Sequence, residues 1–181
     1  MEAALTARRS VRTYSPRRLS LAEVGQLLWA AQGVSGPDGR RTAPSAMHRY
    51  PLEVAVVAQA VDGLASGAYR YVPASHSLEL LVEAGKGPML AGATSQAAVH
   101  AASAVFVIAA VYERMTPGAN NRTWTDYEAG LASENLLLQA VALGLGVVVV
   151  GGIDRAAVKE AVTLAGAEQV IVVIPVGQPV K

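Results

Sequence analysis

Residues 8–33 read RRSVRTYSPRRLSLAEVGQLLWAAQG, and they join two unlike things. The first half carries Arg8, Arg9, Arg12, Arg17 and Arg18, five arginines within eleven positions. The second half is a helix start. Ser20 stands three residues before Glu23, the spacing of a capping box in which each side chain satisfies the other's backbone N–H. Leu19 and Val24 flank the cap as a hydrophobic staple. Leu21, Val24, Leu27, Leu28 and Ala31 recur at helical spacing, and Gly33 stands where a helix commonly ends, so a helix is predicted over 20–32. Val11 and Leu19 are apolar anchors among the arginines. A basic segment so anchored, running straight into a capped helix, is a packed part of the fold rather than a loose tail.

Outward from there, residues 33–51 are rich in Gly, Pro and Ser and form a long loop, of the kind that carries function in compact domains. LEVAVVA (52–58) reads as a strand. GAYRYV (67–72) and SLELLV (77–82) flank a turn at PASH and read as a hairpin. The Ala-rich stretch 88–101 is predicted as a helix beginning near Pro88. AVFVIAAV (104–111) has the unbroken apolar character of a strand buried on both faces. Residues 124–143 form the longest helix, apolar over most of its circumference toward the C-terminal half and so buried on several sides. VVVV (147–150) is a short buried strand closed by Gly151-Gly152. Asp154 caps a helix over 155–164, and QVIVVIPVG (169–177) is the last strand. There is no internal repeat and no linker, which gives one α+β domain over residues 1–181.

The totals set limits on function. The chain of 181 residues carries 15 Lys+Arg against 14 Asp+Glu, 52% hydrophobic residues and 16% charged ones. So low a charged fraction points to apolar surface covered in an oligomer or around a cofactor. A net charge of +1 lacks the basic excess of a protein that tracks a nucleic-acid backbone. With no cysteine, disulfides, thiol catalysis and Cys-ligated metals are excluded. His48, His76 and His100 lie far apart without metal-ligand spacing. No G-x-S-x-G elbow, Walker loop or G-x-G-x-x-G fingerprint occurs. No apolar run is long enough for a membrane span and none follows Met1 as a signal peptide does, so a cytoplasmic protein is expected.

Three features remain as candidate chemistry. Arg8, Arg9 and Arg12 offer forked, permanently charged donors suited to a phosphate, with the Ser10 hydroxyl among them. TAPSA (42–46) presents backbone and hydroxyl donors beside a proline. VVVVGG (147–152) ends a buried strand in glycines, where a ligand can approach the backbone closely.

Four phrases, RRSVRTYSPRRLSLAEVGQLLWAAQG, RRTAPSAMHRYPLEVAVVA, YEAGLASENLLLQAVALGLGVVVVGGID and VVIPVGQP, stand in the order and spacing of the nitroreductase superfamily. The LLWAAQG, TAPSA and NLLLQA phrases resemble its SagB-type dehydrogenase branch most. The resemblance spans residues 6–179. It implies a nitroreductase-like α+β fold, a mixed central sheet flanked by helices, in an intertwined homodimer with FMN at the interface. It further implies an FMN-dependent oxidoreductase that takes hydride from NADH or NADPH and passes it to a nitroaromatic, quinone or similar electron-poor small molecule.

By the same resemblance Arg8 and Ser10, with Arg9 among them, match the positions that hold the FMN phosphate. Arg12 matches the basic residue beside flavin N1 and the C2 carbonyl, where a fixed cation stabilises the negative charge that reduction leaves. Pro44, Ser45 and Ala46 match the loop laid along the ring from the other subunit. Val150, Gly151 and Gly152 match the segment facing N5 and C4=O, and Gln96 a contact to the pyrimidine edge. No side chain is required as a nucleophile. The chain departs from the pattern at Gln178, where the family has a phosphate-holding arginine that Lys181 stands near enough in sequence to replace. It also lacks the Lys-Tyr pair of azoline-oxidising SagB members, having Arg122 and Tyr127 instead. A SagB-type flavin dehydrogenase acting on a peptide or metabolite, and a flavin-free homologue with an interaction role, stand as alternatives; nucleic-acid binding through the arginines is the remotest.

Overall fold

The computed structural model describes residues 1–85, 89–115 and 120–180. Its elements, in chain order, are α1 (Glu2–Ala7), β1 (Leu19–Ser20), α2 (Leu21–Gln32), β2 (Leu52–Ala58), β3 (Val61–Asp62), β4 (Gly67–Val72), β5 (Ser77–Glu83), α3 (Ala97–Ala101), β6 (Ala104–Ala110), α4 (Asn121–Ala142), β7 (Gly146–Val147), α5 (Arg155–Ala161) and β8 (Gln169–Gly177). The fold is α+β. Six strands form a central sheet in the order β5-β4-β2-β6-β8-β7. Its ladders are antiparallel. The sheet is mixed only at its edge, where Ser10 lies parallel to Val147 of β7.

β6 explains the layering. All seven of its residues are buried, and their side chains alternate between two apolar clusters. Phe106 and Ile108 join the cluster formed with α2 and α4. Val105 and Val107 join that formed with α3 and α5. The sheet is therefore covered on both faces, as its unbroken apolar run requires.

The capping box of α2 forms as the sequence predicts: the Ser20 hydroxyl accepts from Glu23 N at 3.2 Å while the Glu23 carboxylate accepts from Ser20 N at 2.7 Å. Asp154 caps α5 through Ala156 N and Ala157 N. Gly33 follows α2 but in an extended conformation, φ −66°. What demands glycine there is the Trp29 ring, whose Cδ1 would lie 2.2 Å from a Cβ.

Other expectations change. The helix predicted over 88–101 is confined to Ala97–Ala101, preceded by turns over 89–93; its expected start at Pro88 lies outside the described residues. Ala93 O is taken by Asp154 N at 2.8 Å, so a tertiary bond replaces the next helical one. α5 stops at Ala161, before Thr163 at φ 54°. The VVVV strand pairs through Val147 only, leaves with Val149 exposed, and rejoins β8 where Val150 bridges Val173. α4 is buried along one stripe, from Thr125 through Ala132 and Leu136 to Ala140, instead of on several sides. Trp124, Tyr127 and Leu131 remain exposed on it.

Candidate functional site

The segment 10–15 is strapped across the end of the sheet. Val11 N donates to Val147 O at 3.0 Å and Ser15 N to Gln178 O at 2.8 Å, and Tyr14 bridges Pro179. The Tyr14 hydroxyl lies 2.9 Å from Val11 O and 3.1 Å from Pro175 O. Burial pushes that phenol well above its ordinary pKa, with the Arg12 guanidinium opposing. Two glycines make the close approach possible. A Cβ at Gly146 would stand 2.7 Å from Val11 Cγ1, and one at Gly177 would stand 2.8 Å from the Tyr14 ring.

The strap sorts its arginines. Arg17 donates to both Glu23 carboxylate oxygens, at 2.7 and 3.4 Å, and to Gln178 Oε1 at 2.9 Å. Arg18 is paired with Asp62 and donates to Val61 O at 2.8 Å. Arg8, Arg9 and Arg12 have no carboxylate partner among the described residues. Arg9 donates only to the carbonyls of Thr6 and Arg8, and Arg12 to Ser10 O at 3.4 Å. Three guanidinium groups within five positions are thus left without a carboxylate, and their forked donors are of the kind that suits an anion. Gln178 is turned inward onto Arg17, with a further contact to Gly144 O at 3.5 Å.

The glycine segment lies beside the strap. Val150 exchanges both backbone bonds with Val173, at 2.9 and 3.1 Å, which fixes the chain just before Gly151 and Gly152. Both glycines are exposed, and a Cβ on either would meet nothing within 4 Å. Their N–H groups have no acceptor among the described residues and are free donors. Thr94 Oγ1 donates to Gly152 O at 3.2 Å and accepts from Gln96 N at 3.2 Å, which brings Gln96 to the same edge. One hydrogen-bonded frame thus joins Arg8–Arg12, Val150–Gly152 and Gln96.

Pro44, Ser45 and Ala46 stand elsewhere, against α4 on the other face of the sheet. Ala46 N donates to the Glu128 carboxylate at 2.7 Å, and Tyr50 N to Ser45 Oγ at 2.7 Å. Glu128 is 5% exposed. Burial raises its pKa above the ordinary 4.5, opposed by the Ala46 N–H and the Ser45 hydroxyl. Met47, His48 and Tyr50 follow at φ 54°, 56° and 46°. Three non-glycine residues in the left-handed region within four positions store strain of order 1–3 kcal/mol each. Neither that strain nor the buried acid announced itself locally in the sequence. Lys181 lies outside the described residues.

His76 and His100 meet single partners, the Tyr71 hydroxyl and Thr94 O, each at 2.9 Å. Among the described residues no group of three potential ligands is placed to hold a metal ion, and no helix is long and apolar enough to cross a membrane.

Comparison with known proteins places the chain as a whole. The sequence pattern of the Nitroreductase family matches residues 5–178. A protein of Methanocaldococcus jannaschii that carries the name nitroreductase is 36% identical over 184 residues, covering 100% of this chain and 92% of that protein. A crystal structure from Ralstonia eutropha, likewise named as a nitroreductase, superposes with a TM-score of 0.86 at 31% identity, over 99% of this chain and 83% of that one. A third, from Desulfovibrio desulfuricans and described as a complex with FMN, shares the fold with a TM-score of 0.72 at 24% identity, over 98% and 85% of the two chains. A family pattern matched along nearly the whole sequence, with a relative 36% identical over the full chain, settles the point: the chain belongs to the nitroreductase family.

Proposed function

We propose that the protein is an FMN-dependent oxidoreductase that draws electrons from NADH or NADPH and delivers them to an electron-poor acceptor such as a nitroaromatic or a quinone. The observation that carries this reading is the single frame in which three uncompensated arginines and two open glycine amides share one sheet edge. The residues present fit the cofactor: a phosphate needs fixed cations and a hydroxyl, and a flavin's polar edge needs free N–H donors with no Cβ in the way.

Arg8, Arg9 and Ser10 are assigned to the phosphate. Arg12 faces the pyrimidine end, where its charge favours the electron-rich form. The Gly151 and Gly152 N–H groups, held in place by the Val150–Val173 pair, orient the ring from its N5 side, and Gln96 contributes at the pyrimidine edge. When bound, FMN supplies the two-electron chemistry, so the protein's task is orientation and charge. Pro44–Ala46 lies on the far face from that frame and reaches a flavin only in a second subunit. The homodimer therefore belongs to the proposal, with the exposed Trp124, Tyr127 and Leu131 of α4 as surface for it to cover. Gln178, bound to Arg17, leaves the phosphate to Arg8, Arg9 and Ser10, with Lys181 as the further cation.

The test is the visible spectrum of the purified protein before and after FMN addition and dialysis. A yellow protein retaining one FMN per chain, bleached by NADH or NADPH without oxygen and restored by a quinone, supports the reading; alternate reduction and reoxidation in one pocket gives ping-pong kinetics. Retained flavin that neither nucleotide bleaches turns the reading to the SagB-type dehydrogenase. A protein that refuses FMN overturns both in favour of the flavin-free alternative.

A further inference from the structure

A second group of cations without carboxylate partners lies away from the strap. A cavity of about 510 Å³ opens between α5, the start of β8 and the first turns of α4. Arg122, Arg155 and Lys159 line it, and none of them forms an ion pair among the described residues. Arg122 sits over the Tyr112 ring, its Cζ 4.1 Å from the centroid, and gives one N–H to Gln169 Oε1 at 3.1 Å. A guanidinium has five N–H donors, so most remain for a ligand. Lys159 donates to Gly166 O at 2.6 Å, which fixes the ammonium and leaves two donors. The Arg155 guanidinium has no hydrogen-bond partner among the described residues.

Of the two acids on the same wall, Glu168 is paired with a cation and Asp126 is only hydrogen-bonded. Glu168 is 4% exposed, takes a bidentate pair from Arg70 at 2.5 and 2.8 Å, and accepts from Ala165 N at 2.7 Å. Asp126 accepts the Tyr112 hydroxyl at 2.6 Å. The walls therefore carry three cations against the single carboxylate of Asp126, a positive excess, above the first residues of β8.

We propose that this cavity is an oxyanion site, taking a small ligand through a carboxylate or phosphate group held by Arg155, Arg122 and Lys159. The site is distinct from the strap. Ser10 sits opposite Val147, which pairs with Val176, five residues along β8 from Ile171, or roughly 17 Å at strand rise. It is independent of whether the strap holds FMN.

The experiment titrates the full-length ¹⁵N-labelled protein with inorganic phosphate, and separately with acetate, at constant ionic strength balanced by chloride. FMN is present throughout at one equivalent per chain to occupy the strap without free phosphate monoester left over to compete at the cavity. The arginine Nε–Hε resonances and the amides of 155–159 and 169–171 report binding. Saturable shifts at these positions are expected, weakened about tenfold or more by Arg155→Ala and also by Lys159→Gln, while Arg8→Ala leaves them unchanged. Both substituted side chains lie on the cavity wall outside the core, and a wild-type circular dichroism spectrum confirms folding. Saturation with phosphate alone assigns a phosphate-bearing ligand, and with acetate alone a carboxylate. Shifts that merely follow ionic strength, or saturation that Arg8→Ala abolishes and Arg155→Ala and Lys159→Gln do not, overturn the proposal.

Discussion

The strap at 10–15 and the loop at 44–50 are both irregular, both flanked by arginines, and both matched to flavin contacts by the family resemblance. They are held in place by opposite means. The strap is ordinary backbone fixed by fit: ladder-like bonds to Val147 and Gln178, and two glycines whose missing Cβ atoms admit Val11 and Tyr14. The loop is strained backbone fixed from below, with Met47, His48 and Tyr50 in the left-handed region over a buried carboxylate. A segment held by fit fails when something is added. A segment held by a buried polar anchor fails when something is removed.

The largest expected effect tests the strap. Gly177→Ala sets a Cβ 2.8 Å from Tyr14 Cγ and 3.0 Å from its Cβ and Cδ1. Tyr14 cannot yield easily, being 9% exposed and bound through its hydroxyl and its backbone bridge. Overpacking against so fixed a ring should cost about 3 kcal/mol, read as a fall in the urea midpoint with an unchanged slope. A cost below about 0.5 kcal/mol, the range of an ordinary surface change, would mean that the strap adjusts freely and the contrast with the loop is lost.

The loop is tested through Glu128. Glu128→Ala leaves the Ala46 N–H without its acceptor and should cost about 1 to 2 kcal/mol. The pH dependence sharpens this. Burial raises the folded-state pKa of Glu128 above the 4.5 of an ordinary glutamate, so the folded protein binds more protons through that window. Its contribution to stability is therefore complete below about pH 4.5 and is lost as pH rises through the folded value. Glu128→Gln, which keeps an acceptor but cannot ionise, should flatten that part of the profile. A stability curve in which wild type and Glu128→Gln run parallel from pH 4 to 7 removes the buried charge from the account of the loop.

The sequence made the two regions unequally legible. The Ser20–Glu23 box, the Asp154 cap and the all-apolar β6 are local rules, and all three form as read. So did the anchoring of the strap, since Val11 among arginines beside a capped helix has no good reason to lie in solvent. The glycines that admit it did not declare themselves, because Gly146 and Gly177 owe their identity to side chains more than 130 residues away. Gly33 was readable as a helix end but for another reason, the Trp29 ring in place of a left-handed turn. The Ala-rich stretch before His100 misled because helix propensity is a weak prior that Asp154 N overrides by taking Ala93 O. Glu128, inside an uninterrupted helix, reads like any solvent-facing acid until Ala46 is seen above it.

The smallest effect divides the strap within itself. Arg17 and Arg18 form partly exposed ion pairs, Arg17 with 43% and Glu23 with 19% of the side chain accessible; solvent screens such pairs, and Arg17→Ala should cost well under about 1 kcal/mol. Arg8→Ala and Arg12→Ala should cost less still in the protein without ligand, because no carboxylate loses a partner. Their effect should appear only with FMN present. A ligand that binds the folded state raises the melting temperature by an amount that grows with the logarithm of its affinity, so the upward shift that FMN gives wild type should shrink for Arg8→Ala and persist for Arg17→Ala. Arg12→Ala should slow flavin reduction by NAD(P)H more than it lowers the melting temperature. The opposite pattern, an FMN-dependent shift abolished by Arg17→Ala and untouched by Arg8→Ala, would place the phosphate at the Gln178 end of the strap, where Arg17 holds the amide that the resemblance matches to an arginine.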